Sequence, residues 1–244
     1  MKLNDNTVLI TGGSSGIGLE LAKQLIARNN TVIICGRSGE KLASAKKSSP
    51  QLNTFQCDIA QKSDRERLIN YMKKEYPDFN VLVNNAAVAH KADFLSEPMM
   101  PGMVELEVQT NLLAPVLLSR EFLNYNKTGT LINITTGLIY APRSVYPIYN
   151  ATKAALHAFT QVLRKQTEPL GSKIIEVMMP VVDTSWHRGN PPRTAITAER
   201  AVTLMMRDLK GDRNEIRIDR VKMLYLLSRI APGLACRIVN NLHD

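Results

Sequence analysis

Cysteine is scarce in this chain of 244 residues: Cys35, Cys57 and Cys236 are odd in number, form no C-x-x-C pair and stand beside no histidine cluster. Neither a disulfide framework nor a metal site is expected, and a reducing cytoplasm is the simplest setting. Long apolar runs are missing as well. The stretch MKLNDNTVLITGG reaches glycine after a short apolar run, too short for the core of a secretory signal, and no segment is long and apolar enough to span a bilayer, so a soluble protein is expected. Blocks of one charge are also lacking. The 31 basic and 22 acidic residues leave a net charge of +9 and a pI near 9.5 but are interspersed, so no nucleic-acid partner is expected. The surplus suits an anionic cofactor or substrate, which a cleft of opposite sign attracts. With no repeat, low-complexity tract or Pro/Gly/Ser-rich linker, residues 1–244 read as one domain.

What the chain does have is a regular series of β-branched and apolar runs: 7–10, 31–35, 54–57, 81–83, 130–135, 173–179 and 214–218. These read as seven buried strands. Helical patterns fill the intervals. Ile17, Leu21 and Leu25 recur every four residues, and Ser63 with Glu66 forms a capping box for a helix running toward Tyr76, ahead of Pro77. Such alternation predicts an α/β fold, a doubly wound parallel seven-stranded sheet with right-handed crossovers and helices on both faces.

Between the first strand and first helix lies Thr11-Gly12-Gly13-Ser14-Ser15-Gly16-Ile17-Gly18. A tight turn there brings backbone close to a pyrophosphate at a helix N-terminus, and side chains would block the approach. The second strand ends Cys35-Gly36-Arg37-Ser38, with no Asp or Glu for the ribose hydroxyls of NAD. Arg37, helped by Ser14 or Ser38, pairs instead with a 2′-phosphate, which favours NADP(H) over NAD(H). Asp58, after the third strand, is placed to accept from the adenine amino group, although Asp is also an ordinary turn residue.

Far along the chain, Tyr149 and Lys153 stand four residues apart in YNATK, on one face of a helix. An ammonium there lowers the pKa of the phenol and makes Tyr149 a candidate general acid/base. With TGGSSGIG, NNAA at 84–87, Asn111 in QTNLLAP and YNATK in order, the sequence resembles the short-chain dehydrogenase/reductase family over nearly its whole length. The CGRS strand end and the VVDT turn are further similar to the oxidoreductases encoded with bacterial teichoic-acid D-alanylation genes.

The resemblance implies a Rossmann-type sheet and a tetrad in which Asn111, Thr136, Tyr149 and Lys153 stand at the family's Asn, Ser, Tyr and Lys. Thr136, thirteen residues before Tyr149, keeps the hydroxyl but adds a methyl, and Thr135 is its neighbouring alternative. Asn85 and Ala86 are implied beside the cofactor, as are Val182 and Thr184 at its carboxamide. Ala87, and Pro180 in Met179-Pro180, replace glycines of the family pattern. The implied reaction is hydride transfer between nicotinamide and a carbonyl or secondary alcohol. Tyr149 exchanges the proton, Lys153 binds the ribose, Thr136 polarises the substrate oxygen and Asn111 holds a relay water. The rival reading is a catalytically silent dinucleotide-binding regulator or scaffold.

Substrate contacts are expected from 137–143 and from a lid at 184–200, with Tyr140, Trp186 and His187 edging a pocket and Arg143 or Arg188 meeting an anionic group. His90 and His157 read as structural or incidental, and Met99, Met100, Met103, Met205 and Met206 as core filling. The tail 221–244 is amphipathic and partly basic, and Pro232 should divide it. It packs on the domain or a second subunit, or docks peripherally on an anionic membrane. The family resemblance favours a homodimer or homotetramer formed through the helices bearing Asn111 and Tyr149.

Overall fold

The computed structural model describes residues 1–95, 101–187 and 189–241. All seven strand runs form one parallel sheet: β1 Thr7–Thr11, β2 Thr31–Gly36, β3 Asn53–Gln56, β4 Phe79–Asn84, β5 Thr130–Thr136, β6 Lys173–Met179 and, after a short pair β7 Val182–Asp183 and β8 Ile196–Thr197, β9 Glu215–Arg217. The order across the sheet is β3-β2-β1-β4-β5-β6-β9, so the winding reverses between β1 and β4. In such sheets ligands bind outside the carboxyl ends of the strands, at that reversal.

Both faces are covered, because alternate residues of each strand point opposite ways. Val8, Ile10, Val32, Ile34, Val83 and Ile134 face one core, closed by α1 Gly16–Ile26 and α7 Ala198–Leu209. Leu9, Ile33, Leu82 and Leu131 face the other, closed by α3 Lys62–Glu75 and α5 Ala114–Tyr125. The helix α6, Pro147–Thr167, lies against β5 and β6. It is joined to the sheet by a buried polar chain: Asn84 Nδ2 donates to Asn133 Oδ1 at 2.9 Å, and Asn133 Nδ2 to Thr160 Oγ1 at 2.8 Å. The set is completed by α2 Gly39–Ser48, α4 Pro101–Val108, α8 Val221–Ile230 and α9 Pro232–Asn240.

Some local expectations are corrected. No capping box starts α3, since the helix begins at Lys62 and Ser63 lies inside it. Asp64 does the fastening, accepting from the Asp58 backbone N–H at 2.8 Å, while Glu66 sits 3.8 Å from Lys62. Met205 and Met206 are core, but Met103 is exposed, and Met99 and Met100 lie outside the described residues. The tail divides at Pro232 as expected. Ala235 and Val239 pack on Ala141 and close that hairpin onto the domain. No helix among the described residues is long and apolar enough to cross a membrane.

Candidate active site

The glycine loop and the end of β4 form the floor. Gly12 and Gly16 have φ of +64° and +55°, a region costly for other residues. Thr11 Oγ1 accepts from the backbone N–H groups of Asn85 and Ala86 at 3.0 and 3.1 Å, and Asn85 Nδ2 donates to the carbonyls of Thr11 and Gly12 at 2.9 and 3.1 Å. The Asn85 amide thus holds the loop rather than facing outward. A Cβ on Gly18 would lie 2.5 Å from Asn85 Nδ2 and 2.6 Å from the Gly12 carbonyl, and one on Gly16 3.0 Å from Thr184. Ser15 precedes α1 without capping it, so its side chain leaves the helix's first N–H groups to an anion. These features fit a dinucleotide pyrophosphate.

Arg37 is exposed beyond β2 and pairs with no carboxylate among the described residues. Ser14 lies against Gly36 just before it, and Ser38 caps α2 by accepting from the Lys41 N–H at 3.3 Å. A hollow of about 200 Å³ nearby is lined by Ser14, Ser15, Lys41, Ser44 and Ser185. Lys41 was not anticipated. Its position three residues after a capping serine marks a first helical turn, but only the fold sets that turn beside the glycine loop. Asp58 uses Oδ1 to accept from the Ala60 N–H at 3.1 Å, so the turn role expected of an Asp is realised.

The other end of the candidate site is assembled by β5, α6 and a π-helical turn. Tyr149 and Lys153 are both buried on the inner face of α6. Burial pushes the Tyr149 phenol well up; a hydrogen bond with Thr136 opposes this, and Glu107 and Tyr146 add to it. Lys153 does not lead this balance as expected. Its Nζ donates to the Ile134 carbonyl at 2.8 Å, and burial brings its pKa down to about 8 against the opposing charge of Glu176. Between Thr135 and Thr136 the structure separates the two candidates. Thr136 meets Tyr149, whereas Thr135 Oγ1 donates to Glu176 at 2.6 Å.

Asn111 lies in the π turn Gln109–Leu113, a deformation often found at functional sites. Its side chain is spent on neighbours: Oδ1 accepts from the Val88 N–H at 2.8 Å, and Nδ2 donates to the Val88 carbonyl at 2.7 Å and to Thr152 at 3.3 Å. One turn earlier, buried Glu107 holds His90 by its backbone N–H and its Nδ1, at 2.7 and 2.8 Å. Ala87 is exposed and has no positive φ, and Pro180 fixes its own φ as negative, so neither position needs the family's glycine.

Above Tyr149 the segment Ser185–His187 folds back. The Trp186 ring lies 5.7 Å from that of Tyr149 and 6.5 Å from Tyr146, with His187 stacked on it. Val182 is buried in the β7–β8 pair, and residues 198–200 of the expected lid already belong to α7. Tyr140 does not join this edge. It accepts from Arg217 Nε at 2.9 Å and packs against His157 and Tyr225. Arg143 stacks over Tyr146 at 6.0 Å, and Arg188 lies outside the described residues.

The family model described as short chain dehydrogenase matches residues 6–193. The chain belongs to the short-chain dehydrogenase family. Among curated relatives, the uncharacterised oxidoreductase DltE of Bacillus subtilis is 43% identical over 237 residues, covering 92% of each chain, which bears out the resemblance carried by CGRS and VVDT. The dehydrogenase/reductase SDR family member 11 of Gallus gallus is 29% identical over 223 residues, covering 82% of this chain and 86% of its own. The fold also matches a short chain dehydrogenase from Burkholderia cenocepacia solved with NADP, at a TM-score of 0.86 and 21% identity over 98% of this chain and 99% of that one. The protein is an oxidoreductase of this family with a Rossmann-like single domain.

The tight fit at Gly18 gives a direct test of the floor. Gly18→Ala forces Asn85 or the Gly12 carbonyl to move and should destabilise by about 1–3 kcal/mol, read as a lowered urea midpoint, with weaker nucleotide binding in the same samples.

Proposed function

We propose that the protein is an NADP(H)-dependent reductase or dehydrogenase acting on a small carbonyl compound or secondary alcohol. The observation that carries this reading is the burial of Tyr149 and Lys153 one turn apart on the inner face of α6, with the Tyr149 phenol beside Thr136 at the end of β5. Bound over the glycine loop, the nicotinamide cofactor supplies or takes up the hydride. Tyr149 gives a proton to the substrate oxygen in reduction and takes it back in oxidation. Thr136 orients that oxygen, and a hydrogen bond to the developing phenolate offsets the cost of burial. Lys153 holds the ribose with its ammonium. Because the Asn111 side chain is engaged on both its oxygen and its nitrogen, its part is to fix Val88 and α6, and a relay water would rest against its backbone. The 184–197 stretch, with Trp186 over Tyr149, acts as the lid that excludes water.

The preference for NADP(H) rests on Arg37, which has a 2′-phosphate as its natural partner in a strand end without carboxylates. A homodimer or homotetramer in the cytoplasm is the proposed state, supported by exposed Tyr125 on α5 and Val162 on α6. Peripheral contact with an anionic lipid surface is proposed for the C-terminal hairpin. Met223, Leu226, Ile230, Leu234 and Ile238 are exposed there, Ile230 by 84%, and 221–241 contains Lys222, Arg229 and Arg237 but no acid.

Three experiments check these statements. Tyr149→Phe should cut turnover on a panel of aldehydes and ketones by about 10²–10⁴-fold while NADPH affinity changes little. Unchanged turnover would sink the mechanism, and NADPH binding with no wild-type turnover on a broad panel would favour the silent binding protein. Arg37→Ala should weaken NADPH by about 1.5–3 kcal/mol and leave NADH nearly untouched; equal losses would refute the phosphate contact. For the hairpin, Leu226→Glu/Ile230→Glu should abolish flotation with phosphatidylglycerol vesicles without changing the sedimentation coefficient. No flotation of the wild type would dismiss the lipid contact, and a smaller species in the variant would assign the face to the oligomer.

A further inference from the structure

Glu176 is a buried acid that none of the steps above uses. It stands in mid-strand on β6, opposite Asn133, in a parallel sheet whose positions are ordinarily apolar. A carboxylate there is costly unless it is paired and hydrogen-bonded. Both oxygens are engaged: Thr135 Oγ1 donates to Oε1 at 2.6 Å, and His157 Nδ1 lies 2.7 Å from Oε2.

The placement of these partners joins Glu176 to the active site. His157 follows Lys153 by one turn, so Tyr149, Lys153 and His157 form a ladder on one face of α6. On β5, Ile134 offers its carbonyl to Lys153 Nζ, and the next residue, Thr135, holds Glu176. Lys153 is buried with that neutral carbonyl as its hydrogen-bond acceptor. We propose that Glu176, clamped by Thr135 and His157, is the counter-ion that keeps the Lys153 ammonium charged beneath the nicotinamide site, His157 acting as its positioning residue.

The electrostatics run the same way: burial draws Lys153 down to about 8, and Glu176 acts in the opposite direction. The other groups around the pair are occupied among themselves. On β9, Arg217 pairs with Glu215 at 2.6 Å and donates to Tyr140, while Arg164 of α6 reaches Glu215 at 3.6 Å; Tyr225 of α8 stacks on Arg217. The two oxygens of Glu176 are held by the Thr135 hydroxyl and by Nδ1 of His157, one turn beyond Lys153 on α6.

The inference rests on the cofactor role proposed for Lys153, and a binding experiment without substrate separates the two. NADPH affinity of the full-length protein is measured by fluorescence from about pH 6.5 to 9.5. Wild-type affinity should fall through an alkaline midpoint as Lys153 loses its proton, and Lys153→Met should remove that limb. Glu176→Gln, which keeps the shape and the acceptor oxygen, should move the midpoint down by about one pH unit, weakening binding about fivefold at the wild-type midpoint and little at the acid end. An unmoved midpoint in Glu176→Gln, with the limb absent in Lys153→Met, overturns the counter-ion and leaves the cofactor role standing. A limb that survives Lys153→Met overturns both. If Glu176→Gln does not fold, His157→Leu should shift the midpoint in the same direction by removing the donor, and His157→Gln should restore it. Equal midpoints in wild type, His157→Leu and His157→Gln overturn the proposal.

Discussion

The site depends on how α6 lies against β5 and β6. A helix usually meets a sheet through apolar side chains, but along this seam the contacts are polar and buried: Asn84 to Asn133 to Thr160, Lys153 to Ile134, Thr135 to Glu176 to His157. Buried polar groups are tolerable only when partnered, and each bond fixes direction as well as distance. An apolar interface could slide by a fraction of a turn at small cost, whereas this one has a single register. Tyr149 meets Thr136 because the bonds deeper in the seam leave α6 no other seat.

The opposite wall is fixed in a related way. Thr11, Asn85 and Ala86 stitch the glycine loop to the end of β4, and Asn111 and Glu107 hold Val88 and His90 from the helical side. The strand reversal creates the crevice, and these side chains decide its width. A π turn at Gln109–Leu113 places Asn111 in this arrangement, its amide facing Val88 and Thr152 together.

Much of this was legible in the sequence, for definite reasons. The seven strands were readable because parallel strands covered on both faces are continuous β-branched runs, and the glycine loop because its residues must be small wherever they fall in the fold. Tyr149 and Lys153 were readable because helical spacing alone puts them on one face. Features that depend on contacts between distant segments were not. Ser63 and Glu66 had the right spacing for a cap, yet Asp64 reaches the Asp58 backbone and the helix starts earlier. Tyr140 sat in the right loop, but Arg217 on β9 draws it away. Glu176 looked like one polar residue in an apolar run, and its meaning depends on a histidine nineteen positions earlier.

The chain contains a single tryptophan, and it is Trp186, lying over Tyr149. Excited at wavelengths where tyrosine does not absorb, the protein emits from one spot, beside the ring of Tyr149. Any rearrangement of the turn Ser185–His187 is therefore written into the emission colour and lifetime of the native molecule, without a dye or an introduced label.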